Sequence, residues 1–404
     1  MVNPQIASAV EQLDYRVTVG EVSARAGLEI NTAQAGLLSL ASDVGANLQV
    51  SEYGDITYLF PRNYRSILRN KYFRLRLQEL WQKVWAVLFY LIRISFGIFL
   101  VVSIALIFAA IAILVMSTSS DRDDRRGSSF NVGGLFWMND LLWWFSPGHR
   151  RRRERKAGGM NFFEALFSVL FGDGNPNADL EQQRWQTIGA VIRSNKGAIT
   201  AEQVMPYLDL PENLGDEDFM IPVLSRFNGY PQVTDQGELI YHFPELQTLA
   251  VERQQQYIPS VLRESPWQFS SASSTQVGWT VGLGVLNLVG ALALGSMLSD
   301  SAIAVGQTAG FVGFVGSILG ILLAYGVGFL AIPLGRYFWI QSQNKKIQVR
   351  NGQRQQRAIA VQSPSASLKQ KLQAAEQLQS EVVLSEESIA YTTEKDLLEQ
   401  AFDE

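Results

Sequence analysis

The most regular feature of the chain is a series of long apolar segments separated by polar stretches. Residues 94–117 carry no charged side chain, and about two dozen such residues suffice for a helix to cross an apolar layer about 30 Å thick. Between Glu264 and Arg336 the only charged residue is Asp300, which divides a second apolar block. The pattern therefore predicts a transmembrane helix at 94–117 and a transmembrane hairpin at 279–332.

Small residues recur at every fourth position in the last apolar segment. This spacing places them on one helix face, where a neighbouring backbone can approach closely. We interpret the face as a packing surface for other helices of the same chain. The alternative is a helix of a partner, and a second copy of the chain is one such partner. The residues concerned are Gly316, Gly320, Ala324 and Gly328.

The basic segment before the first span, residues 62–93, allows two interpretations. Either residues 77–92 form an amphipathic helix in the membrane interface, or they form a short span that turns back near Arg93. A charge at membrane depth is costly and is often functional. For Arg93 we prefer the simpler interpretation, in which its side chain reaches the interface from a turn or a helix start.

Basic residues cluster beside the apolar segments. Besides residues 62–93, they concentrate at 149–156 and after Arg336, whereas the link around Asp300 has none. Short loops rich in Lys and Arg tend to stay in the cytoplasm. The three clusters therefore predict one common side, cytoplasmic or stromal, which requires an even number of crossings before residue 122. The alternative has three crossings in all, with the first soluble segment across the membrane from the second.

Residues 1–61 predict three short helices followed by a β-hairpin. Thr18 is placed to cap the second helix, which ends at Gly27, and Asn31 is placed to cap the third. Apolar and polar residues then alternate on both sides of Gly54, as in two strands joined by a glycine turn. This order is the plan of a winged helix, which is a variant of the helix-turn-helix.

Residues 182–245 repeat this plan. The hairpin sequence GELIYHFP at 237–244 matches GDITYLFP at 54–61, and the distance from the capping threonine is nearly the same. A match of this kind indicates an internal duplication. The fold class is therefore α+β, with two winged-helix-like modules attached to transmembrane helices.

The charges of the modules argue against DNA binding. A winged helix that reads DNA places its third helix in the major groove, supported by Lys and Arg on phosphates. The third helix of the first module, residues 31–45, has neither, and its counterpart opens with Asp216, Glu217 and Asp218. We expect no nucleic acid partner and interpret the modules as protein-binding. A membrane-tethered nucleic-acid-binding regulator is the alternative.

The linker at 118–181 contains two short aromatic segments on either side of an arginine cluster. Both are too short to span a membrane, and we interpret them as interfacial helices that bind lipid headgroups. A docking surface for a membrane partner is the alternative. The residues that carry this interpretation are Trp137, Trp143, Trp144, Arg150, Arg151, Arg152 and Arg153.

The tail at 345–404 ends in an acidic segment that is predicted to be helical. It is either solvated or docked on the protein's own modules or on a basic partner.

Composition argues against catalysis and bound cofactors. The chain of 404 residues is 47% hydrophobic and 18% charged, and it has no Cys and only two His, His149 and His242. Disulfides, thiolate chemistry and Cys-ligated metal centres are thereby excluded. No nucleotide-binding glycine motif is present. The loop FGDGNPN at 171–177 lacks the remaining ligands of a calcium loop and is expected to be a tight turn. We therefore expect no enzymatic activity, no cofactor and no metal.

The layout of the chain resembles a family of integral membrane proteins of cyanobacteria and plastids. The resemblance rests on the FGDGNPN loop, the hairpin sequences YLFP and YHFP and the terminal EKDLLEQ, and it covers nearly the full chain. It implies a thylakoid or plasma membrane of a cyanobacterium, or a plastid membrane, and an auxiliary role near photosynthetic complexes. Plant members are sometimes labelled iron–sulfur cluster biosynthesis proteins, but a chain without Cys is not suited to ligate a cluster.

These inferences lead to one main hypothesis. The protein is a non-enzymatic membrane scaffold for the assembly or maintenance of a membrane complex, with lipids and complex subunits as partners. A transporter subunit is a further alternative.

Overall fold

A computed structural model describes residues 3–71, 73–119, 160–211, 217–234, 237–253, 257–299, 310–384 and 389–394. The fold is α+β and mostly helical, with sheets of four, three and two strands. In chain order, the helices of the described residues are α1 (Pro4–Gln12), α2 (Val19–Ala26), α3 (Ile30–Val44), α4 (Tyr64–Lys71), α5 (Phe73–Ser119), α6 (Phe162–Phe171), α7 (Leu180–Ser194), α8 (Ala201–Val204), α9 (Ile221–Phe227), α10 (Ser274–Ser299), α11 (Phe311–Ser317), α12 (Leu319–Gln362) and α13 (Ala366–Gln377). The strands are β1 (Arg16–Thr18), β2 (Asn47–Ser51), β3 (Ile56–Leu59), β4 (Ala198–Ile199), β5 (Tyr230–Val233), β6 (Leu239–His242), β7 (Thr248–Leu249), β8 (Val382–Val383) and β9 (Ile389–Thr392).

The chain divides into two compact units, and each unit combines segments that are far apart in the sequence. Unit 1 contains both modules and the tail, in the segments Met1–Trp81, Asn175–Pro266 and Gln343–Glu404. Unit 2 contains the most apolar helical segments, in Gln82–Gly174 and Trp267–Ser342.

The first module of unit 1 has the predicted order of helices and hairpin. Thr18 forms a capping box with Glu21 at the start of α2, and α2 ends at Gly27 with a φ of 69°. Both boundaries are as predicted, because the threonine side chain accepts an otherwise unpaired backbone N–H and glycine tolerates the left-handed conformation. The predicted cap of the third helix is wrong: α3 starts one residue earlier, so Asn31 lies within its first turn.

The hairpin of the first module belongs to a four-stranded antiparallel sheet with the strand order β1–β3–β2–β9. Strands β2 and β3 are joined through Gly54, whose φ of 87° is of the kind that a glycine turn accommodates. Tyr58 and Phe60 pack from the hairpin against Leu37 and Leu40 of α3 in the core of the module.

The second module repeats this order with α7, α8, α9 and the hairpin β5–β6. Its sheet has the order β4–β6–β5, so β4 occupies the place that β1 has in the first module. The backbone N–H of Thr200 donates a 3.0 Å hydrogen bond to Oε1 of Gln203, as that of Thr18 does to Glu21. The core of this module also includes Ala24 and Ile30 of the first one, so both modules are parts of one folded unit.

The tail is docked on the modules. Strand β8 pairs in parallel with β7, β9 pairs with β2, and α13 packs against β4 and β6. The described part of the tail is therefore docked on the modules, and the alternative expectation of a solvated tail is wrong for this part. The acidic segment after residue 394 lies outside the described residues.

Three helices among the described residues are long and apolar enough to cross a membrane: α10, α12 and the segment Leu80–Met116 of α5. Because α5 is one continuous helix, the turn expected near Arg93 is wrong. No Gly or Pro occurs between Phe73 and Phe96, so nothing in this stretch interrupts the helical hydrogen bonds.

Within unit 2, helices α5, α10, α11 and α12 pack through small and aliphatic side chains. Ile107 and Leu114 of α5 share a core cluster with Ala291 and Leu294 of α10 and with Val315 of α11. A buried polar contact lies among these apolar ones, because the Ser103 hydroxyl donates a hydrogen bond of 2.6 Å to Oδ1 of Asn287. The two described parts of the predicted 279–332 hairpin, residues 279–299 and 310–332, therefore pack beside α5.

Candidate functional site: the junction of the two modules

The two modules of unit 1 meet through α2 and α7. A Cβ added at Gly189 of α7 would lie 2.7 Å from Cα of Ala24 in α2, so this close approach requires glycine. Arg226, the only basic residue of α9, donates a 2.6 Å hydrogen bond to the carbonyl oxygen of Gly27, and its guanidinium lies 4.1 Å from the ring centroid of Trp185. The basic side chain that a DNA-reading third helix would place on phosphate is therefore already bound within the junction.

Glu21 is a buried acid at this junction. Its Oε2 accepts hydrogen bonds from the backbone N–H groups of Thr18 at 3.0 Å and Ala250 at 3.2 Å. Its Oε1 lies 3.5 Å from Nη2 of Arg193 and 3.5 Å from Nε of Arg253. One carboxylate of the first module thus faces two guanidinium groups from the other side of the junction.

A cleft of about 1140 Å³ lies at the same junction. We call it the arginine cleft because Arg25, Arg193, Arg253 and Arg263 all line it. Among the acids of the described residues only Glu381 is part of its lining, and the rest of the wall includes the segment 257–262.

Burial and neighbouring charges shift the pKa of two arginines of this cleft, Arg25 and Arg193. Burial and the neighbouring positive charge of Arg253 lower the pKa of Arg25. Burial also lowers the pKa of Arg193, where the charge of Glu21 acts in the opposite direction and Arg253 and Arg25 add to the lowering. At Arg193 the charges of Glu21 and Glu381 outweigh the repulsion from Arg253 and Arg25, so burial is what lowers its pKa.

The two hairpins differ at their outer edge strands. In β2, the carbonyl oxygen of Leu48 accepts a 3.0 Å hydrogen bond from the N–H of Thr393, and the N–H of Leu48 donates one of 2.8 Å to Oγ1 of the same residue. Leu48 pairs with Tyr58, and Pro231 pairs with Tyr241 in the equivalent register. Because proline has no N–H, β5 is unable to form the pair of bonds that holds the tail on β2.

Helix α12 is tied to the second module by a buried arginine. Arg354 forms ion pairs with Asp209 and, at 2.8 Å, with Glu264. Arg350, one turn earlier, also binds Glu264, through Nε at 2.8 Å and through Nη2. These contacts hold α12 on the modules.

A second ionic contact anchors α13. Nζ of Lys371 lies 3.1 Å from Glu202 and 2.8 Å from Glu217, and Glu217 also accepts a hydrogen bond of 2.5 Å from the Tyr241 hydroxyl. The tail is therefore fixed to the second module by charge as well as by strand pairing.

The first part of the FGDGNPN loop, residues 171–174, belongs to unit 2 and is stabilised by hydrogen bonds of Asp173. Asp173 accepts hydrogen bonds from the Ser168 hydroxyl at 2.7 Å and from the Ser271 N–H at 2.8 Å. Burial alone would raise the pKa of Asp173, but these hydrogen bonds and the charge of Arg93 outweigh it, so the pKa is lowered. At Gly172, φ is 82° and a Cβ would lie 2.6 Å from Nη2 of Arg336, which explains the glycine. The prediction of a tight turn is consistent with this geometry.

Arg93, singled out as a charge within an apolar segment, lies in the middle of α5. Its guanidinium is 5.2 Å from the ring centroid of Phe167 and 5.7 Å from that of Phe89. The charge is thus placed over aromatic rings and near Asp173, and not at a turn.

The predicted row of small residues is not one helix face. The chain breaks at Ile318 between α11 and α12, so Gly316 and Gly320 belong to different helices. Around Gly320 and Gly328 nothing from the rest of the described chain lies within 4 Å of the place a Cβ would take, and Ala324 is exposed. Gly316 does face another helix of the chain, because a Cβ there would lie 3.4 Å from Cδ1 of Leu298 in α10. For Gly320, Ala324 and Gly328 the packing surface stays a prediction.

Other glycines make the close helix contacts of unit 2. A Cβ at Gly326 would lie 3.3 Å from Cα of Leu288, and one at Gly284 would lie 2.6 Å from the ring of Phe329. Spacing of small residues alone did not distinguish these positions from the exposed ones.

Several predicted residues lie outside the described ranges. They are Trp137, Trp143, Trp144, Arg150, Arg151, Arg152, Arg153 and His149. His242 is described, and its ring nitrogens contact the Tyr230 hydroxyl at 2.7 Å and Oε1 of Gln247 at 3.1 Å. Within the described ranges, no group of three or more His, Cys, Asp and Glu side chains is placed to hold a metal ion.

The residues of the junction were not found from the sequence. The T-x-x-E spacing of Thr18 and Glu21 marks a capping box, but it does not reveal that the same carboxylate faces Arg193 and Arg253. Arg253 lies outside the repeated modules, so the duplication gave no signal for it.

The chain is similar to the "Uncharacterized protein At5g03900, chloroplastic" of Arabidopsis thaliana. The two sequences are 38% identical over 424 aligned positions, which cover 100% of this chain and 80% of the plant protein. No protein-family model matches the chain. No solved structure matches it either.

Proposed function

Because the chain belongs to the family of this plant chloroplastic protein, we propose that it is a non-enzymatic integral membrane scaffold for the assembly or maintenance of a membrane complex. The plastid relationship and the three candidate spanning helices support a thylakoid or related membrane. Because the layout of the chain also resembles membrane proteins of cyanobacteria, the proposal includes the thylakoid or plasma membrane of a cyanobacterium.

The paired modules are proposed to be winged-helix-like and to bind protein through their hairpins. The observation that carries this proposal is an apolar side chain left exposed at the same hairpin position in both modules. Ile56 of the first is 40% exposed and Leu239 of the second is 37% exposed. Tyr53 at the first turn and Val233 beside the second are also largely exposed. Apolar and aromatic residues of this kind are typical of binding surfaces.

The electrostatics of the modules support protein as the ligand in preference to nucleic acid. Helix α3 contains no Lys or Arg, and the single base of α9, Arg226, is bound to Gly27 and stacked on Trp185. Neither helix offers the phosphate contacts that a DNA-reading helix needs. Salt-dependent binding of duplex DNA by the full chain would instead favour the regulator, and solute flux in reconstituted vesicles would favour the transporter subunit.

Both modules and the tail are proposed to lie on one side of the membrane, which we take as cytoplasmic or stromal. Their mutual packing in unit 1 supports this, because segments that pack together share a compartment. Within unit 2, Leu114 packs beside Leu294 near one end of α10, whereas the carbonyl of Met160 binds Nε2 of Gln276 near the other end. These ends are about 27 Å apart at about 1.5 Å per helical residue. The proposal therefore includes an even number of crossings between the two modules.

The scaffold proposal is tested by isolation of native complexes. Full-length tagged protein is purified from solubilised membranes in mild detergent, and its partners are compared with those of the double variant Tyr53→Ser/Ile56→Ser. We expect defined membrane-complex subunits to co-purify with the wild type and to decrease at least fivefold with the variant. The variant Ile359→Ser is the control, because Ile359 is similarly exposed in unit 1 but lies outside the hairpins.

Two outcomes contradict the scaffold proposal. One is that the wild-type protein migrates alone under mild detergent. The other is that the hairpin variant retains the same partners as the Ile359→Ser control.

A further inference from the structure

The arginine cleft contains more positive than negative charge. Among the described residues its lining has four arginines and one acid, Glu381, and Oε1 of the buried Glu21 lies 3.5 Å from two of the arginines. In this part of the chain, four positive charges against two acids leave an excess of two. Like charges held together in a partly enclosed space attract anions, because water screens them less than at an open surface.

The positions of two of the cleft arginines, Arg253 and Arg25, are set by hydrogen bonds within the protein. Nη2 of Arg253 donates hydrogen bonds to the carbonyl oxygens of Leu13 at 2.8 Å and Arg16 at 2.7 Å, and Nε of Arg25 donates one of 2.6 Å to Gln12. Their orientation therefore does not depend on a ligand. Donors that are already oriented lose little conformational entropy on binding.

The size and the other wall of the cleft indicate what kind of anion fits. A volume of about 1140 Å³ exceeds the space that an inorganic ion needs and reaches the range of pockets for organic ligands. Tyr257, Ile258 and Pro259 line the cleft beside the arginines, so carbon surface and guanidinium groups face the same space. A ligand with a charged group and an apolar or aromatic group would contact both.

We propose that the arginine cleft binds an organic phosphate of about the size of a nucleotide. The guanidinium groups bind the phosphate oxygens, for which their planar, forked donors are suited. The organic part of the ligand packs on the segment that carries Tyr257. The exposed hairpin residues Tyr53, Ile56, Val233 and Leu239 are not part of the cleft lining, so variants of the two sites can be tested separately.

The test uses the purified full-length protein in detergent and ADP as the probe. Titration calorimetry and thermal unfolding are measured with ADP, with adenosine and with inorganic phosphate at equal ionic strength. We expect saturable ADP binding that weakens as salt is raised, at least tenfold weaker binding of phosphate, and no binding of adenosine.

The matched variants keep the buried contacts of Glu21 intact. In Arg25→Gln/Arg263→Gln two cleft charges are removed without changing Arg193 or Arg253, and we expect ADP affinity to fall at least tenfold. Arg62→Gln removes one exposed arginine of the same unit outside the cleft and should leave affinity within a factor of two. The variant Tyr257→Ser should weaken ADP binding but not phosphate binding.

Three results would overturn the proposal. The first is the absence of saturable ADP binding by the wild type, and the second is equal affinity in Arg25→Gln/Arg263→Gln and Arg62→Gln. The third is phosphate binding as tight as that of ADP, because the organic part would then contribute nothing. If the wild type binds no ADP but co-purifies with its partners, only the cleft proposal is contradicted. If it binds ADP but migrates alone, only the scaffold proposal is contradicted.

Discussion

At the scale of single residues, Glu21 has the most consequential position. It closes the capping box of α2, accepts the N–H of Ala250 and faces Arg193 and Arg253. We expect Glu21→Gln to destabilise the protein by about 3 kcal/mol, because it leaves two partly buried guanidinium groups, 21% and 20% exposed, without their carboxylate. Chemical unfolding of the full chain in detergent measures this. Glu52→Gln, which changes an exposed acid of the same module, is the control. Equal midpoints for the two variants would contradict the role given to Glu21.

Arg350 and Arg354 provide a matched pair, since both bind Glu264 but differ in burial. The Arg354 side chain is 1% exposed and that of Arg350 is 37% exposed. We expect Arg354→Ala to cost about 3 kcal/mol of unfolding free energy, whereas Arg350→Ala costs about 1 kcal/mol or less, because solvent screens the outer pair. The same unfolding measurement distinguishes them. A larger loss for Arg350→Ala would show that α12 is not held by the buried arginine.

Glu264 also makes stability depend on pH. The hydrogen bonds from Arg350 lower its pKa, burial opposes them, and the charge of Arg354 lowers the pKa further, with a net decrease. Its stabilising contribution is therefore complete above the pKa of the unfolded chain, about 4, and is lost as pH falls through the lower folded pKa. We expect the unfolding free energy of the wild type to fall more steeply below about pH 4 than that of Glu264→Gln. Parallel profiles for the two proteins would rule out this contribution.

At the scale of elements, the tail strand β9 and the hairpin edge β2 form a specific pair. Thr393→Pro removes the N–H that binds Leu48, so we expect the tail to detach and proteases to cleave it faster. The exposed edge of β2 should then promote self-association, which light scattering detects. Thr393→Val keeps the N–H and is the control. If Thr393→Pro were as resistant to protease as this control, the strand pairing would not be what holds the tail.

The elements also show what the sequence could and could not predict. The duplication, the capping threonines and the apolar spans rest on local signals, namely spacing, turn residues and run length, and they predict the order of helices and strands. The partners of those elements depend on contacts across hundreds of residues. Thr393, for example, binds Leu48 and not Pro231, because Leu48 has a backbone N–H to donate and proline has none. Likewise, α5 passes through Arg93 because aromatic rings and Asp173 accommodate the charge, and no local pattern reveals these partners.

At the scale of the whole molecule, the packing of unit 1 predicts the sidedness of the chain. The protein has no Cys, so single cysteines report their positions without background. We expect Ser42→Cys, Asp218→Cys and Ser380→Cys, all at exposed positions, to react with an impermeant maleimide from the same face of sealed vesicles. Lysed vesicles show the maximum labelling of each variant. If Ser42→Cys were labelled only after lysis while Asp218→Cys was labelled before it, the modules would lie on opposite sides.

Unit 1 is assembled from three separate stretches of chain, and this sets the order in which it can form during synthesis. The sheet of the first module stays one strand short until residues near 390 have left the ribosome, after every apolar helix has been made. A nascent chain that stops before these residues therefore presents an unfilled strand edge to the quality-control machinery, and one that stops before Lys371 also leaves Glu202 and Glu217 without that partner. The sheet of the first module gains its fourth strand only after translation has passed residue 392.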